Sequence, residues 1–215
     1  MSEILRTEHL SKRYGTGAYV LSGMTVGFES GSATGLIGPN GSGKTTFIRL
    51  LSATAFPTEG HVLFQGIDIH EQPHQFLKHV GLAGDSHNLP VYLNAVELME
   101  WILRSKKKWT AGSDEKISAL LDSVLLDERR ENLIGTYSSG MMQKSLIAAS
   151  LVAEPEIILL DEPFRALDTD SVKACIGLLE SYRKNGGTLI ISSHVKHTLD
   201  QLCSSYITFP ALHPA

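Results

Sequence analysis

The stretch that most constrains the fold is "GPNGSGKTT" at residues 38–46, which lies between an apolar segment and a helix-prone segment. The apolar segment, "ATGLI" at 33–37, predicts a strand buried on both faces. The segment "TTFIRLLSATAF" at 45–56 predicts a helix that stops before Pro57. The spacing G-x-x-x-x-G-K-[ST] is the P-loop pattern, so the sequence predicts a strand–loop–helix unit that holds phosphates.

The residue types of this loop suit a nucleotide. Glycines let backbone N–H groups approach phosphate oxygens, Lys44 can reach the β- and γ-phosphates, and the Thr45 hydroxyl can bind Mg²⁺. We expect ATP to be held by the whole loop and the start of its helix, namely Gly38, Pro39, Asn40, Gly41, Ser42, Gly43, Lys44, Thr45 and Thr46.

A second apolar run ends in two carboxylates. The segment "EIILLDEP" at 156–163 predicts a buried strand whose end places Asp161 beside the P-loop, where it can hold Mg²⁺ through water. Glu162 follows at a position suited to a general base that activates water. The alternative is an ordinary strand ending in acidic residues, but the spacing downstream of a P-loop favours the catalytic interpretation.

Another segment has the properties of a helix start that faces an anion. In "YSSGMMQKSLIAAS" at 137–150, the small residues Ser138, Ser139 and Gly140 precede an amphipathic, helix-prone run. Free N–H groups, hydroxyls and the positive end of the helix dipole favour an anion there. The alternative is a helix merely capped by Ser139.

Strand patterns occupy both ends of the chain. Residues alternate like strands over 3–10 and 19–28, and 59–69 predicts a hairpin around its "QG" pair. The segment "TLIISSH" at 188–194 predicts another buried strand. The chain end after it has room for one last strand.

Residues 85–153 have helical patterns instead, with helices beginning at Asn94 and at Ser113, both suitable N-caps. The order strand–loop–helix, helical block, strand–helix–strand predicts an α/β fold. We expect a P-loop NTPase core with a mostly parallel sheet, an N-terminal antiparallel β subdomain and an inserted α-helical subdomain. The expected single domain, 1–215, divides into the nucleotide-binding core with its β subdomain, 1–84 and 154–215, and the helical subdomain, 85–153.

Composition excludes several function classes. A net charge of −4 and a pI of about 6.1 argue against a dedicated nucleic-acid binder. The basic run Lys106–Lys108 is interpreted as a solvated face, with contact to anionic lipid as the alternative. Cys175 and Cys203 suit a reducing cytosol. No apolar run approaches the ~20 residues that span a bilayer, so we expect a soluble, cytoplasmic protein.

Together these motifs resemble those of the ATP-binding cassette (ABC) ATPases, and the resemblance covers nearly the whole chain. "YSSGMMQK" is similar to the family's signature motif, and "RALD" to its D-loop, which implies a D-loop role for Asp168. "SSH" is similar to its switch-histidine loop, which implies that His194 acts in catalysis with Glu162. "SKRYG" is similar to its adenine-stacking loop, which implies that Tyr14 is the aromatic platform.

The resemblance also implies a dimer. In this family two cassettes bind head to tail, and the signature helix of each caps the nucleotide held by the other. Ser138, Ser139 and the Gly140 N–H would then contact ATP in trans. An interface held by a γ-phosphate responds to hydrolysis, as a motor requires.

Three positions depart from the family pattern. Ser139 stands at the first signature glycine, and Met141 stands at the signature glutamine but keeps its backbone donor. Asp85 falls at the position of the Q-loop glutamine. Aspartate keeps an oxygen for Mg²⁺ but adds charge and shortens the reach, so Asp85 is expected to be a metal ligand. The alternative is that Asp85 merely caps the following turn.

The sequence thus predicts an ATP-binding, ATP-hydrolysing subunit that powers an ABC transporter and requires Mg²⁺. Its expected partners are a second ABC subunit, identical or different, and separately encoded membrane-spanning subunits, which would place it on the cytoplasmic face of the cell membrane. Its length and "DEPFRALD" resemble small exporter-type cassettes. The alternatives are a soluble ABC ATPase that drives assembly or repair, and a slow nucleotide-gated binding module.

Overall fold

The computed structural model describes residues 2–126 and 128–210 of the chain, and its described strands form two sheets, one of four strands and one of five. In chain order the elements are β1 (Glu3–Arg13), β2 (Tyr19–Glu29), β3 (Ala33–Ile37), α1 (Lys44–Leu51), β4 (Glu59–Phe64), β5 (Ile67–Asp68), α2 (Pro73–Phe76), β6 (Val80–Ala83), α3 (Ala95–Ser105), α4 (Ser113–Ser123), α5 (Ser139–Leu151), β7 (Ile157–Asp161), α6 (Thr169–Lys184), β8 (Thr188–Ser193), α7 (Lys196–Leu199) and β9 (Ser205–Thr208).

The four-stranded sheet has the order β2-β1-β4-β5, and its strands pair antiparallel, as predicted for the N-terminal part of the chain. The predicted hairpin is present between β4 and β5. Its two turn residues, Gln65 and Gly66, have φ values of 51° and 83°, the left-handed pair that a tight hairpin requires. This sheet lies against the P-loop, because a Cβ on Gly43 would contact Leu21 Cδ2 on β2 at 3.0 Å.

The five-stranded sheet is parallel and has the order β6-β7-β8-β3-β9. Because β8 lies between β7 and β3, the carboxyl ends of all three strands meet at one edge. Asp161 there pairs with Ser192, and Ile37 pairs with Ser193. The P-loop, the acidic pair Asp161 and Glu162, and His194 follow these ends, so the predicted α/β fold brings them together.

Helices cover both faces of the parallel sheet. On one face, Phe47 of α1 packs with Leu159 and Ile190, in a core shared with the antiparallel sheet. On the other face, Ile147 of α5 and Leu179 of α6 belong to a core shared with the helical block. This three-layer arrangement buries the two-sided apolar strands that the sequence predicts.

The helical block begins at α3, whose N-cap is Asn94 as predicted. Asn94 forms a capping box with Glu97, each side chain accepting from the other residue's N–H. The prediction that Ser113 caps α4 is wrong, because the N-cap is Gly112. The Ser113 hydroxyl is buried and accepts from the Thr110 N–H at 2.9 Å, which stabilises the preceding turn instead.

The basic run after α3 is not simply a solvated face. Lys106 Nζ donates to the Val80 carbonyl at 2.7 Å, and Lys108 Nζ donates to the Ala153 carbonyl at 2.7 Å. Burial lowers the pKa of Lys106, since it disfavours the charged ammonium. Lys106 therefore ties the end of α3 to β6, and Lys108, although exposed, ties it to the loop between α5 and β7. Lys107 is exposed, as predicted for the whole run.

Some boundaries differ from the prediction. The helix α1 ends at Leu51, because Ala53 adopts a φ of 55° and the Thr54 and Ala55 N–H groups both donate to the Arg49 carbonyl. The last strand, β9, is present as expected and pairs with β3.

Within the described residues, no helix combines the length and apolar character that crossing a membrane requires.

Candidate functional site

The P-loop folds around its own lysine. Gly43 is the N-cap of α1 with a φ of 99°, and Gly41 has a φ of 79°, both in the left-handed region that favours glycine. Lys44 is buried, and its Nζ donates to the carbonyls of Gly38 at 2.7 Å and Pro39 at 3.0 Å. The buried Ser42 hydroxyl has no hydrogen-bond partner, so the loop retains an unused donor of the kind a phosphate oxygen accepts.

The acidic pair at the end of β7 is held by the neighbouring strand. Ser192 Oγ donates to Asp161 Oδ1 at 2.6 Å and accepts from the Glu162 N–H at 2.9 Å. Glu162 itself has a φ of 47°, a left-handed conformation that is strained for a residue with a Cβ. Ser192 therefore fixes both carboxylate residues, and the strain is located at the residue predicted to be the general base.

Glu162 lies between two cationic or basic groups. Its Oε2 is 3.0 Å from His194 Nδ1, and its Oε1 is 3.9 Å from Lys44 Nζ. Oε1 is buried and has no hydrogen-bond partner. A carboxylate with one oxygen oriented by an imidazole and the other without a hydrogen bond has the geometry of a base that accepts a proton from water. The structure thus places Lys44, Glu162 and His194 next to one another.

A cleft of about 530 Å³ opens beside this pair. It separates the core from the helical block and is lined by Thr45, Arg49, Gly84, Asp85, Ser86, Ser139, Met142, Gln143, Asp161, Glu162, Arg165 and Ala166. Among the described residues, no group of three or more His, Cys, Asp or Glu side chains could hold a metal by itself. The oxygens of Thr45, Asp161 and Asp85 fit Mg²⁺, which binds few protein oxygens and completes its shell with phosphates and waters.

Tyr14 lies beside the P-loop helix, as its predicted role requires. It is 51% exposed, and its hydroxyl is 3.5 Å from Thr46 Oγ1. Lys12 Nζ lies 5.0 Å from the ring centroid. An exposed ring at this edge can stack on a base while the phosphates occupy the loop.

The predicted signature helix begins where expected, but its cap differs from the alternative considered. Ser138, not Ser139, is the N-cap, and its Oγ accepts from the Met141 N–H at 3.2 Å. Ser139 lines the cleft of its own chain, whereas Ser138 is exposed and outside that lining. A Cβ on Gly140 would lie 2.8 Å from the Ala166 carbonyl, so glycine is needed where the helix touches its own D-loop.

Asp168 caps the helix α6 that follows the D-loop. Its Oδ1 accepts from the N–H groups of Asp170 and Ser171, and its Oδ2 accepts from the Ser171 hydroxyl at 2.8 Å. These bonds, the Ser171 N–H first, lower the pKa of Asp168. Asp168, for which a D-loop role is predicted, is therefore the N-cap of α6, and Ala166 in the loop before it has a φ of 64°.

The model of the ABC transporter family matches residues 21–165. The chain belongs to this family. It is similar to the uncharacterized ABC transporter ATP-binding protein YybJ of Bacillus subtilis (strain 168), with 35% identity over 86% of this chain and 83% of that protein. It is also 32% identical to the lipoprotein-releasing system ATP-binding protein LolD of Syntrophus aciditrophicus (strain SB), over 89% of this chain and 90% of that protein.

Solved structures agree on the fold. The ATP-binding subunit of an ABC transporter superimposes with a TM-score of 0.88 at 25% identity, covering 96% of this chain and 85% of that one. A dimeric ATP-binding cassette in a post-hydrolysis state, with ADP and Pi bound, has the same fold, with a TM-score of 0.87 at 24% identity over 96% and 94% of the two chains. This chain is an ABC transporter ATP-binding subunit and an ATPase.

Sequence reasoning missed three features of this ABC ATPase. Ser192 was not recognised as the support of both carboxylates, although its place two residues before His194 could have indicated it. Gln143 lines the cleft with its amide buried. A second and larger cavity, described below, is lined by apolar residues that include the exposed Trp101.

Proposed function

We propose that this chain is the ATP-hydrolysing motor of a transporter, acting as a head-to-tail dimer bound to separately encoded membrane subunits on the cytoplasmic face of the membrane. The observation that carries the proposal is the contact of Glu162 with His194 at 3.0 Å, at the open edge of a parallel sheet and 3.9 Å from the P-loop lysine. Relatives named for bacitracin transport, lipoprotein release and lantibiotic transport support the transporter role.

In this proposal separate residues bind ATP, activate water and hold the metal. Lys44 and the loop N–H groups bind the β- and γ-phosphates of ATP, and Tyr14 stacks on the adenine. Glu162 takes a proton from the attacking water, and His194 holds the Glu162 carboxylate in place. Thr45, Asp161 and Asp85 would hold Mg²⁺, which supplies neutralisation of the phosphate charge when it is bound.

The exposed N-terminus of the signature helix supports a dimer. Ser138 does not line the cleft of its own chain, yet its helix N-terminus presents hydroxyl and N–H donors to solvent. These donors suit the γ-phosphate bound to a second copy or to a related subunit, because unpaired helix N–H groups favour anions. Both nucleotides would then lie in the interface.

A groove of about 630 Å³ supports a membrane partner. It lies between the β6 edge and the helical block, and most of its lining is apolar, including Leu82, Leu89, Tyr92, Trp101, Ile102 and Leu146. Tyr92 is 74% exposed and Trp101 is 63% exposed, which is unusual for large aromatic side chains on a soluble surface. We infer that an intracellular helix of the membrane subunit, with an apolar face, binds there.

Replacing Trp101 tests the transporter role. With Trp101→Asp, we expect most of the chain to leave the membrane fraction of its own host cells, because a carboxylate in this apolar groove opposes helix docking. Membrane-bound and free chain are measured by quantitative blotting after centrifugation. Phe56→Asp is the matched control, since Phe56 is 66% exposed but lies outside the groove, and it should leave the distribution unchanged. Equal distribution of the Trp101 variant and the unmodified chain would contradict the proposal.

Replacing Asp85 tests its proposed role at the metal. A carboxylate in the cleft repels the γ-phosphate whenever Mg²⁺ is absent, so closure should depend steeply on Mg²⁺. With Asp85→Gln we expect this dependence to relax while turnover continues. ATPase activity is titrated against Mg²⁺ for both proteins, and Asp114→Gln, an exposed acid in the first turn of α4, serves as the control. Superimposable curves for Asp85→Gln and the unmodified chain would leave Asp85 as a turn residue.

A further inference from the structure

The amide of Gln143 is a donor without a use in the mechanism above. Gln143 is 8% exposed and lies on α5, in the second turn of the signature helix. Its Nε2 is fully buried and has no hydrogen-bond partner, yet the residue lines the cleft beside Asp161 and Glu162. A buried unpaired amide is unfavourable, so a partner within the cleft would stabilise the protein.

The packing of α5 on β6 determines which partner is near. A Cβ on Gly81 would lie 2.0 Å from the Ser150 carbonyl, so the end of α5 rests directly on the start of β6. The helix also packs against the 3₁₀ turn Ser86–Asn88, which follows β6. Ser150 is almost the last residue of α5, so the contact with the turn after β6 is made by residues earlier in the helix. The helix and the strand therefore run in opposite directions.

This antiparallel packing places Gln143 and Asp85 on the same side of the Gly81–Ser150 contact and at comparable distances from it. From Ser150 back to Gln143 the helix spans about 10 Å, at about 1.5 Å per residue. From Gly81 forward to Asp85 the chain spans at most about 14 Å. The two side chains line the same cleft, one from the signature helix and one from the loop that departs from the family pattern. A carboxylate accepts several hydrogen bonds, so Asp85 can bind the amide in addition to its other contacts.

We propose that Gln143 is a positioning residue whose Nε2 donates to the Asp85 carboxylate when the cleft closes around nucleotide. The pair rests on the proposed function, because Asp85 acts there as a ligand of Mg²⁺. The bond connects the loop at a chain's own metal site to the helix whose N-terminus caps the neighbour's nucleotide. A change at one nucleotide site is thereby transmitted along α5 to the other site.

Exchanging the donor and the acceptor tests the pair. Gln143→Glu places two carboxylates against each other and is expected to lower kcat about 10-fold or more, with ATP affinity of the monomer unchanged. Adding Asp85→Gln restores an amide–carboxylate pair with the roles reversed, and kcat should return to within about 3-fold of the Asp85→Gln protein. The same loss from Gln143→Glu in both backgrounds would overturn the proposal.

A second pair of variants guards against a folding defect. If Gln143→Glu lowers the thermal midpoint, the test uses Gln143→Leu instead, because leucine has a similar volume but neither a charge nor a hydrogen-bond donor. This variant should lower kcat several-fold beside Asp85 and cause no further loss in an Asp85→Ala protein. Equal losses in both would again overturn the pair.

Measuring dimer formation distinguishes a failure of the Gln143–Asp85 bond from a failure of the proposed head-to-tail function. In a Glu162→Gln background, Gln143→Glu should abolish the ATP-trapped dimer on size exclusion, and Asp85→Gln should restore it. If the Glu162→Gln protein never dimerises although the unmodified chain hydrolyses ATP, the head-to-tail function is contradicted, and the kcat comparison still decides the pair.

Discussion

The Glu162→Gln protein is expected to lose at least about 100-fold in steady-state ATP turnover while its affinity for Mg-ATP stays unchanged. Glutamine keeps the size of the side chain and can still meet His194, which lies 3.0 Å from Glu162 Oε2. It cannot accept a proton from water. Because the γ-phosphate then remains in place, ATP should hold two chains together.

Phosphate release and size-exclusion chromatography with ATP measure these two effects. Glu156→Gln is the matched control, because Glu156 is an exposed carboxylate just before the same strand, β7, and pairs with His79 at 2.6 Å away from the cleft. Its turnover should equal that of the unmodified chain. Unchanged turnover in the Glu162→Gln protein would mean that another group is the base.

Ser138→Arg is expected to abolish both hydrolysis and ATP-dependent dimerisation, with nearly normal ATP affinity of the single chain. Arginine places bulk and length where the γ-phosphate of a neighbouring chain should lie. Ser138 does not line the cleft of its own chain, so binding in cis should be spared. Steady-state ATPase assays, size exclusion with ATP and fluorescent-nucleotide titration at low protein concentration provide the three measurements.

The capping role of Ser138 requires its own control. Replacement by arginine removes the bond that the Met141 N–H donates to Ser138 Oγ, which costs about 1 kcal/mol of stability. Ser138→Ala removes the cap without adding bulk, so it should lower the thermal midpoint as much as Ser138→Arg but retain ATP-dependent dimers. A large loss of ATP affinity in the monomeric Ser138→Arg protein would place this serine in its own nucleotide site and contradict the head-to-tail arrangement.

Local features were predictable because their causes are local. Gly41 and Gly43 of the P-loop both have left-handed backbone, and Gly43 also lies close to β2, so the glycines of the sequence pattern have local causes. The N-cap at Asn94 was likewise predicted from a local preference, and the structure adds its capping box with Glu97. Ser113 shows where such prediction fails. Its hydroxyl accepts from the turn before α4 instead of capping the helix, and this depends on the burial of Ser113 in the folded chain.

Features that join distant segments were not predictable in this way. Ser192 contacts Asp161 and Glu162 only because β8 pairs with β7 in parallel register, about 30 residues apart in the chain. The burial of the Gln143 amide depends on how α5 packs over β6. No spacing rule in a single sequence reports either contact.

The sequence by itself determined the family, the order of the elements and the residues that can bind phosphate or accept a proton, because each of these depends on short motifs and local backbone preferences. The tertiary structure alone decided how those residues meet: Lys44 lies 3.9 Å from Glu162, although they come from the starts and ends of different elements. It also decided which apolar side chains stay uncovered, since Trp101 is 63% exposed on α3 whereas Leu98, Met99 and Leu103 of the same helix are buried. Strand order and helix packing, which are set by long-range burial of apolar surface, are the physical reason for both.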